Sequence, residues 1–251
     1  MFTHAICRRP GNTLGAGLTT ADLGVPDPAK ALDQHAAYVF TLAELGLEVT
    51  VMDPEPDHPD AHFVEDTAIV TPEVAIICRP GHSDRRGEEL SVAKVLAAHR
   101  LLEYINAPGL IDGGDVLQVG RHVLVGLSER TNLAGAEQLG AILESNGMSW
   151  TPVPVAEGLH FKSSVNEVGE CLLVTSEFAH REELAGYEKI IVPDDEAYAA
   201  NTLRINDHLI MPAGYPKTRC LLEPLGLPIT ELDLSEMRKM DGGLTCLSLR
   251  L

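Results

Sequence analysis

The sequence predicts an α/β protein in which one structural unit is repeated five times around a ring. Three observations predict it. Asp66, Asp112, His160 and Cys246 each stand where a short apolar strand begins, in HFVEDTAIV, LIDGGDVLQV, EGLHFKSSV and DGGLTCLSL, at intervals of 46, 48 and 86 residues, the last being about two periods. An apolar strand, a turn, a second apolar strand, a polar loop and a helix-like stretch recur in that order along the chain. The fifth unit is split: DGGLTCLSLRL at the C-terminal end offers a first strand and FTHAICRRP at the N-terminal end offers the matching second strand, so pairing the two closes the ring. A repeat that sets a reactive side chain at the same point of successive units gathers those side chains around its symmetry axis. That gathering argues for an enzyme.

Taken in order, residues 4–11 (HAICRRPG) read as a second strand and 29–47 as a helix. Residues 75–81 (AIICRPG) form the next second strand, and 89–105 (ELSVAKVLAAHRLLEYI) carry apolar residues at helical spacing. Residues 122–132 repeat the strand; 132–147 (NLAGAEQLGAILESNG) repeat the helix, stopping at Asn146 and Gly147. Second strands follow at 171–178 and 207–216, with a helix at 217–226. The reversals between paired strands carry turn residues: Thr71, Pro72 and Glu73; Gly120 and Arg121; Asn166, Gly169 and Glu170; Asn206 and Asp207. No Gly/Ser linker or low-complexity run divides the 251 residues, so a single domain is expected, large enough to bury a core without metal or disulfide.

The 37 acidic against 19 basic residues give a formal charge of −18, which argues against nucleic acid or an anionic membrane surface as partner and permits attraction of cations. The same charge is equally compatible with acidity that serves solubility alone. Cys7, Cys78, Cys171, Cys220 and Cys246 are odd in number and contain no CxxC pair, which argues against a disulfide framework or structural zinc. The N-terminal segment lacks a sustained apolar core, and no run approaches 18 apolar residues, so a cytoplasmic location is expected.

Cys246 in LTCLSL reads first as a small buried residue of an alternating strand; its periodic relation to His160 and the acids makes it a candidate nucleophile, with Gly242 and Gly243 allowing close approach. His160, one of ten histidines, pairs with it as the proton-carrying group, and an acid orients the imidazole. Asp112 to Asp115 could be a plain turn, since the further ligands of a calcium loop are missing; the preferred reading has Asp112 face the cavity. Asp60, Glu65 and Asp66 are three carboxylates around one strand start. If they converge, their repulsion calls for a cationic guest, and a guanidinium matches carboxylates in fixed geometry. Arg85 and Arg130, otherwise ordinary surface arginines, fall at matching points after two second strands and could hold an anionic group at the cavity mouth. Guanidinium at one end and carboxylate at the other describe an arginine-like substrate.

The strings FVEDTAIV, RPGHSDRRGE, IDGGDVLQVGRHVLVGLSERTN, GLHFKS, VPDDEAYAANTLRIN, MPAGYP and DGGLTCLSL resemble the dimethylarginine dimethylaminohydrolase family of the guanidine-modifying pentein superfamily, from the first strand to the last residues. The resemblance implies a five-bladed ββαβ propeller with pseudo-fivefold repeats, and hydrolysis of N-methylated arginine to citrulline and a methylamine through a covalent thiouronium, with no metal or other cofactor. It implies Cys246 as nucleophile, His160 as proton donor and Asp112 as the acid of the triad. Asp60, Glu65 and Asp66 match substrate-binding acids, Arg85 and Arg130 the carboxylate-binding arginines, Leu18 a lid residue contacting substrate through its backbone, and Met240 a position that uses its carbonyl. The expected partner is a small-molecule substrate rather than nucleic acid or membrane, and a homodimer is the candidate assembly. Arginine deiminase or amidinotransferase chemistry on another guanidino compound, or a noncatalytic binding protein, are the alternatives; Cys246, His160 and Asp112 occurring together speak against the last.

Overall fold

A computed structural model describes residues 1–156 and 160–251; Gly158, expected to set the approach of the chain to His160, lies outside them. The strands are β1 (His4–Arg8), β2 (Glu48–Met52), β3 (Ala68–Val70), β4 (Val74–Ile77), β5 (Leu101–Tyr104), β6 (Val116–Val119), β7 (His122–Leu127), β8 (Ser149–Pro154), β9 (Val165–Glu167), β10 (Cys171–Val174), β11 (Glu188–Ile191), β12 (Leu203–Ile205), β13 (His208–Pro212), β14 (Ile229–Leu232) and β15 (Leu249–Arg250). They form five three-stranded sheets, β15-β1-β2, β3-β4-β5, β6-β7-β8, β9-β10-β11 and β12-β13-β14. In each sheet the first and second strands are antiparallel and the second and third parallel.

A parallel pair needs a crossover. It is supplied by α1 (Pro28–Glu44), α2 (Glu88–Leu96), α3 (Leu133–Ser145) and α4 (Pro216–Leu222), while the short α5 (Ser235–Arg238) leads back to β15. α1 starts where Asp27 accepts the Ala29 and Lys30 backbone N–H groups ahead of Pro28, and it buries Ala31, Gln34, His35, Tyr38 and Leu42 as a stripe. The ring closes as expected: Ala5 pairs with Arg250 and Ile6 with Leu249, and the Thr3 and Leu251 N–H groups donate across the seam.

The second strands explain why they read as unbroken apolar runs. Alternate residues of each strand face two different neighbours, because every sheet stands between two others. Ile6 packs towards the β4 sheet while Ala5 and Cys7 pack towards β12 and β13. Val123 and Val125 face Ile76, whereas Leu124 faces Leu172 and Val174; Cys171 and Leu173 then meet Leu209 and Met211. Five apolar clusters thus fill the five wedges between adjacent sheets, and neither face of these strands is left to solvent.

The structure departs from the sequence reading at four points. The stretch 89–105 is helix only through Leu96; Leu101–Tyr104 is β5, and the third strands in general were not foreseen because outer-edge sequences such as EVTVM, LLEY and EKII are short, bury none of their residues fully and lack the long apolar runs of the second strands. The fourth unit joins β10 to β11 through two 3-10 turns, Ser176–Phe178 and Glu182–Leu184, rather than an α-helix. Cys246 lies not in a strand but in the 3-10 turn Thr245–Leu247 that precedes β15. Asn166 is not a turn residue; it is buried in β9, its amide donating to the Lys162 and Ala200 carbonyls.

Candidate active site

Each first strand is entered through a 3-10 turn, and the periodic residues sit on those turns. Asp66 is within Val64–Thr67, Asp112 and His160 immediately precede Gly113–Asp115 and Phe161–Ser163, and Cys246 is within Thr245–Leu247. The turns can crowd together because glycine removes side chains where they meet. A Cβ on Gly114 would strike Asp66 and His160, and one on Gly242 or Gly243 would strike Phe63 or Asn201, so the GG pairs before β6 and β15 permit the convergence.

His160 is bracketed by carboxylates. Its Nε2 is 3.0 Å from Asp112 Oδ2 and its Nδ1 3.8 Å from Asp66 Oδ1. Burial disfavours the cation, but Asp66, the hydrogen bond to Asp112, and Asp115 outweigh it and push the His160 pKa up to about 10. Asp66 responds reciprocally: burial would raise it, yet His160 and Arg85, with the Gly114 N–H at 2.8 Å, hold it down at about 2. Asp112 is fully buried, accepts the Gly81 N–H at 2.8 Å, and receives through its own N–H the support of Thr131 Oγ1. Burial first, then Glu65 and Asp66, push the Cys246 thiol up to about 12, against a Gly243 N–H directed at the sulfur. The resting pair is therefore thiol and imidazolium.

Asp66, Asp112 and His160 are also a metal-type cluster among the described residues, with ligand atoms within 4.8 Å of one another. With the ring protonated, Nε2 donates to Asp112 and Nδ1 carries its proton 3.8 Å from Asp66, so neither nitrogen has a lone pair free to coordinate.

A cavity of about 250 Å³ opens over this group, walled by Cys246, His160, Asp66, Asp60, Arg85, Arg130, Leu18 and Met240. Eight of the ten residues singled out in the sequence are thus brought together. Asp112 lies just behind the wall. Glu65 points to the opposite side of the axis, where Lys162 at 2.7 Å and Arg250 at 2.6 Å bind one oxygen in a second, separate cavity. Two of the three acids around this strand start do not therefore wait on a cationic guest: Arg85 and His160 answer Asp66, and Lys162 and Arg250 answer Glu65, leaving Asp60.

Arg85 is not at the mouth. Glu88, at the first turn of α2, draws the guanidinium inward through Nε and Nη2, Asp66 takes Nη1, and the Asp60 and Phe63 carbonyls accept from Nη2. Arg130 does stand at the rim, partly exposed, 3.7 Å from Asp112. The Leu18 N–H donates to Asp60 Oδ2 at 2.9 Å, while Asp60 Oδ1 is buried without a partner among the described residues. Thr19 donates to the Lys239 carbonyl and Thr20 N–H and Oγ1 to Asp241, so the 17–20 segment is tied over the cavity to the loop that carries Met240.

Several residues that shape the site were not singled out as functional. Asn201 accepts the Thr245 N–H and donates to Thr245 Oγ1 and the Lys162 carbonyl; it stands 41 residues after His160 and 45 before Cys246, at the step the periodic series skipped. Asp115 and Asp241 had weaker signals, each being one polar residue of a turn.

A family model described as arginine deiminase matches residues 25–156. The chain is 42% identical over 253 residues to the N(G),N(G)-dimethylarginine dimethylaminohydrolase of Pseudomonas aeruginosa, covering 100% of both chains. It is 37% identical to the Streptomyces coelicolor protein of the same name, covering 98% of this chain and 96% of that one. A solved structure of the Pseudomonas protein, a cysteine-to-serine mutant complexed with citrulline, superposes with a TM-score of 0.98, at 42% identity and 100% coverage of both chains.

Proposed function

The chain belongs to the arginine deiminase family and, within it, to the dimethylarginine dimethylaminohydrolases, and from that premise we propose that it is a cysteine hydrolase converting N-methylated arginine to citrulline and a methylamine. The observation that carries the reading is the single cavity onto which a neutral thiol, an imidazolium held between carboxylates and a rim arginine all open. Such a cavity suits a guest with a cationic planar end and an anionic end.

In this reading the guanidinium enters between Cys246 and the carboxylates. Its positive charge lowers the cost of ionising the thiol, whose proton passes to solvent, so a thiolate forms where there is a carbon to attack. Sγ bonds to the guanidinium carbon, His160 gives its proton to the departing methylamine, and the C–N bond breaks to leave a thiouronium on Cys246. Neutral His160 then takes a proton from water as the oxygen adds to the same carbon; the C–S bond breaks and the sulfur leaves with the proton shed by the hydroxyl, releasing citrulline and restoring thiol and imidazolium. Asp112 and Asp66 hold the imidazole in position and stabilise its cation. Asp60, with a buried oxygen that has no partner among the described residues, accepts from the substrate, Arg130 at the rim attracts its carboxylate with Arg85 behind it in the same wall, and the Leu18 and Met240 backbones line the amino-acid end. Five unpaired cysteines suit the reducing cytoplasm, where the enzyme would work alone or as a homodimer. Among the described residues no helix is long and apolar enough to cross a membrane.

Citrulline release measured with arginine, monomethylarginine and asymmetric dimethylarginine tests the proposal. Turnover of a methylated arginine is the expected result. Release from arginine alone would favour deiminase chemistry, and none from any of the three would overturn the assignment.

A further inference from the structure

Resting on that reading, we propose that Asp115 is a positioning residue that locks His160, Asp112 and Arg130, three site residues from different segments, into one unit. It is fully buried and takes no place in the cavity wall. Its Oδ1 accepts the backbone N–H of Phe161 at 2.9 Å, fixing the peptide that follows His160. Its Oδ2 accepts the hydroxyls of Ser128 and Thr131, both at 2.6 Å. Those two hydroxyls are themselves acceptors: Ser128 Oγ takes the N–H groups of Arg130 and Thr131, and Thr131 Oγ1 takes that of Asp112. One carboxylate therefore holds the peptide that follows His160 directly, the triad acid through Thr131 and the rim arginine through Ser128.

The direction of these bonds suits an ionised carboxylate: burial raises the Asp115 pKa, while His160 and the three donors favour the charged form. Ser128 Oγ already accepts two N–H groups, so its single proton has to be donated, and Asp115 is what receives it. An asparagine cannot replace the acid. Its oxygen could still serve Phe161, but its NH2 would face two hydroxyls that need an acceptor. The charge adds a second effect. Asp115 is among the acids that sustain the imidazolium, beside Asp66 and Asp112, with Arg85 and Arg130 opposing from the other sides and neutral Cys246 across the cavity. The chemistry end and the carboxylate end of the substrate are thus positioned through the same buried group.

The experiment uses two variants of the full chain. In Asp115→Asn the His160 titration, followed by NMR of labelled imidazole, is expected to fall by about one unit or more. The preference in kcat/KM for methylarginine over its decarboxylated analogue is expected to shrink about 10-fold. Thr131→Val, which keeps the charge and cuts one arm, should lower kcat/KM for methylarginine while moving the His160 titration less than Asp115→Asn does. An unmoved His160 titration in Asp115→Asn overturns the proposal, as does a Thr131→Val enzyme indistinguishable from wild type. Should Asp115→Asn not fold, Thr131→Val carries the decision through its kinetics. Because the His160 titration needs no turnover, failure of the assigned activity in wild type is distinguishable from failure of this linkage.

Discussion

Among single residues, the charge state of Cys246 and His160 decides what the site can do. A thiol pushed up to about 12 is almost wholly protonated at neutral pH, and an imidazole at about 10 almost wholly cationic. Titration of thiolate absorbance in wild type against Cys246→Ser is expected to give a midpoint above the unperturbed value of about 8.5, falling when an unreactive guanidinium analogue is bound. A midpoint already below about 7 in the free protein, or one the analogue does not move, would sink substrate-driven ionisation. Cys246→Ser is expected to lose turnover by several orders of magnitude while keeping the wild-type unfolding midpoint, since a hydroxyl ionises far less readily than a thiol. Activity surviving in that variant, or an adduct mapped by mass spectrometry to the exposed Cys220, would remove Cys246 from the mechanism.

At the scale of elements, the 3-10 turns before the first strands set the chemistry, and the loops around them set access. Asp241 adopts φ 57° and accepts two hydrogen bonds from Thr20 on the opposite side of the cavity. Glycine tolerates that backbone conformation and cannot make those bonds. Asp241→Gly is therefore expected to leave the unfolding midpoint unchanged or raised while KM for methylarginine rises about 10-fold, the two lost bonds being to a charged acceptor. An unchanged KM would mean that the 17–20 segment closes without this tie. Elements also explain where the sequence misled: LTCLSL alternates like a strand, but the convergence at the axis bends Thr245–Leu247 into a turn, which aims the sulfur at the cavity.

For the whole molecule, the carboxylate and imidazole of the axis couple stability to pH. Asp66 titrates near 2 in the folded protein against 3.8 for the free side chain, so its contribution, about 2 kcal/mol, is present above about pH 4 and lost as pH falls through 2. His160 works in the other sense: with a folded value near 10 against 6.5, its contribution is full below about 6.5 and lost as pH rises through 10. The unfolding midpoint measured across pH should therefore be highest between about 4 and 6.5 and decline towards 10, and His160→Gln should flatten the alkaline decline. A wild-type midpoint constant from pH 7 to 10 would contradict the ion-pair geometry around His160.

Sequence alone determined the five-unit ring, its closure between the two ends, the second strands and the residues that meet at the axis, because repetition and apolar runs are properties of local spacing. It could not determine the third strands, whose exposed outer edges carry little pattern, nor the missing helix of the fourth unit. The partners of the charges were equally out of its reach. Glu65 and Asp66 are adjacent in the chain, yet one pairs with Lys162 and Arg250 on one side of the axis and the other with Arg85 and His160 on the opposite side. Only the packing of distant turns decides which cation each acid meets, and hence which carboxylates remain to receive a guest, since ion pairs form across space rather than along the chain.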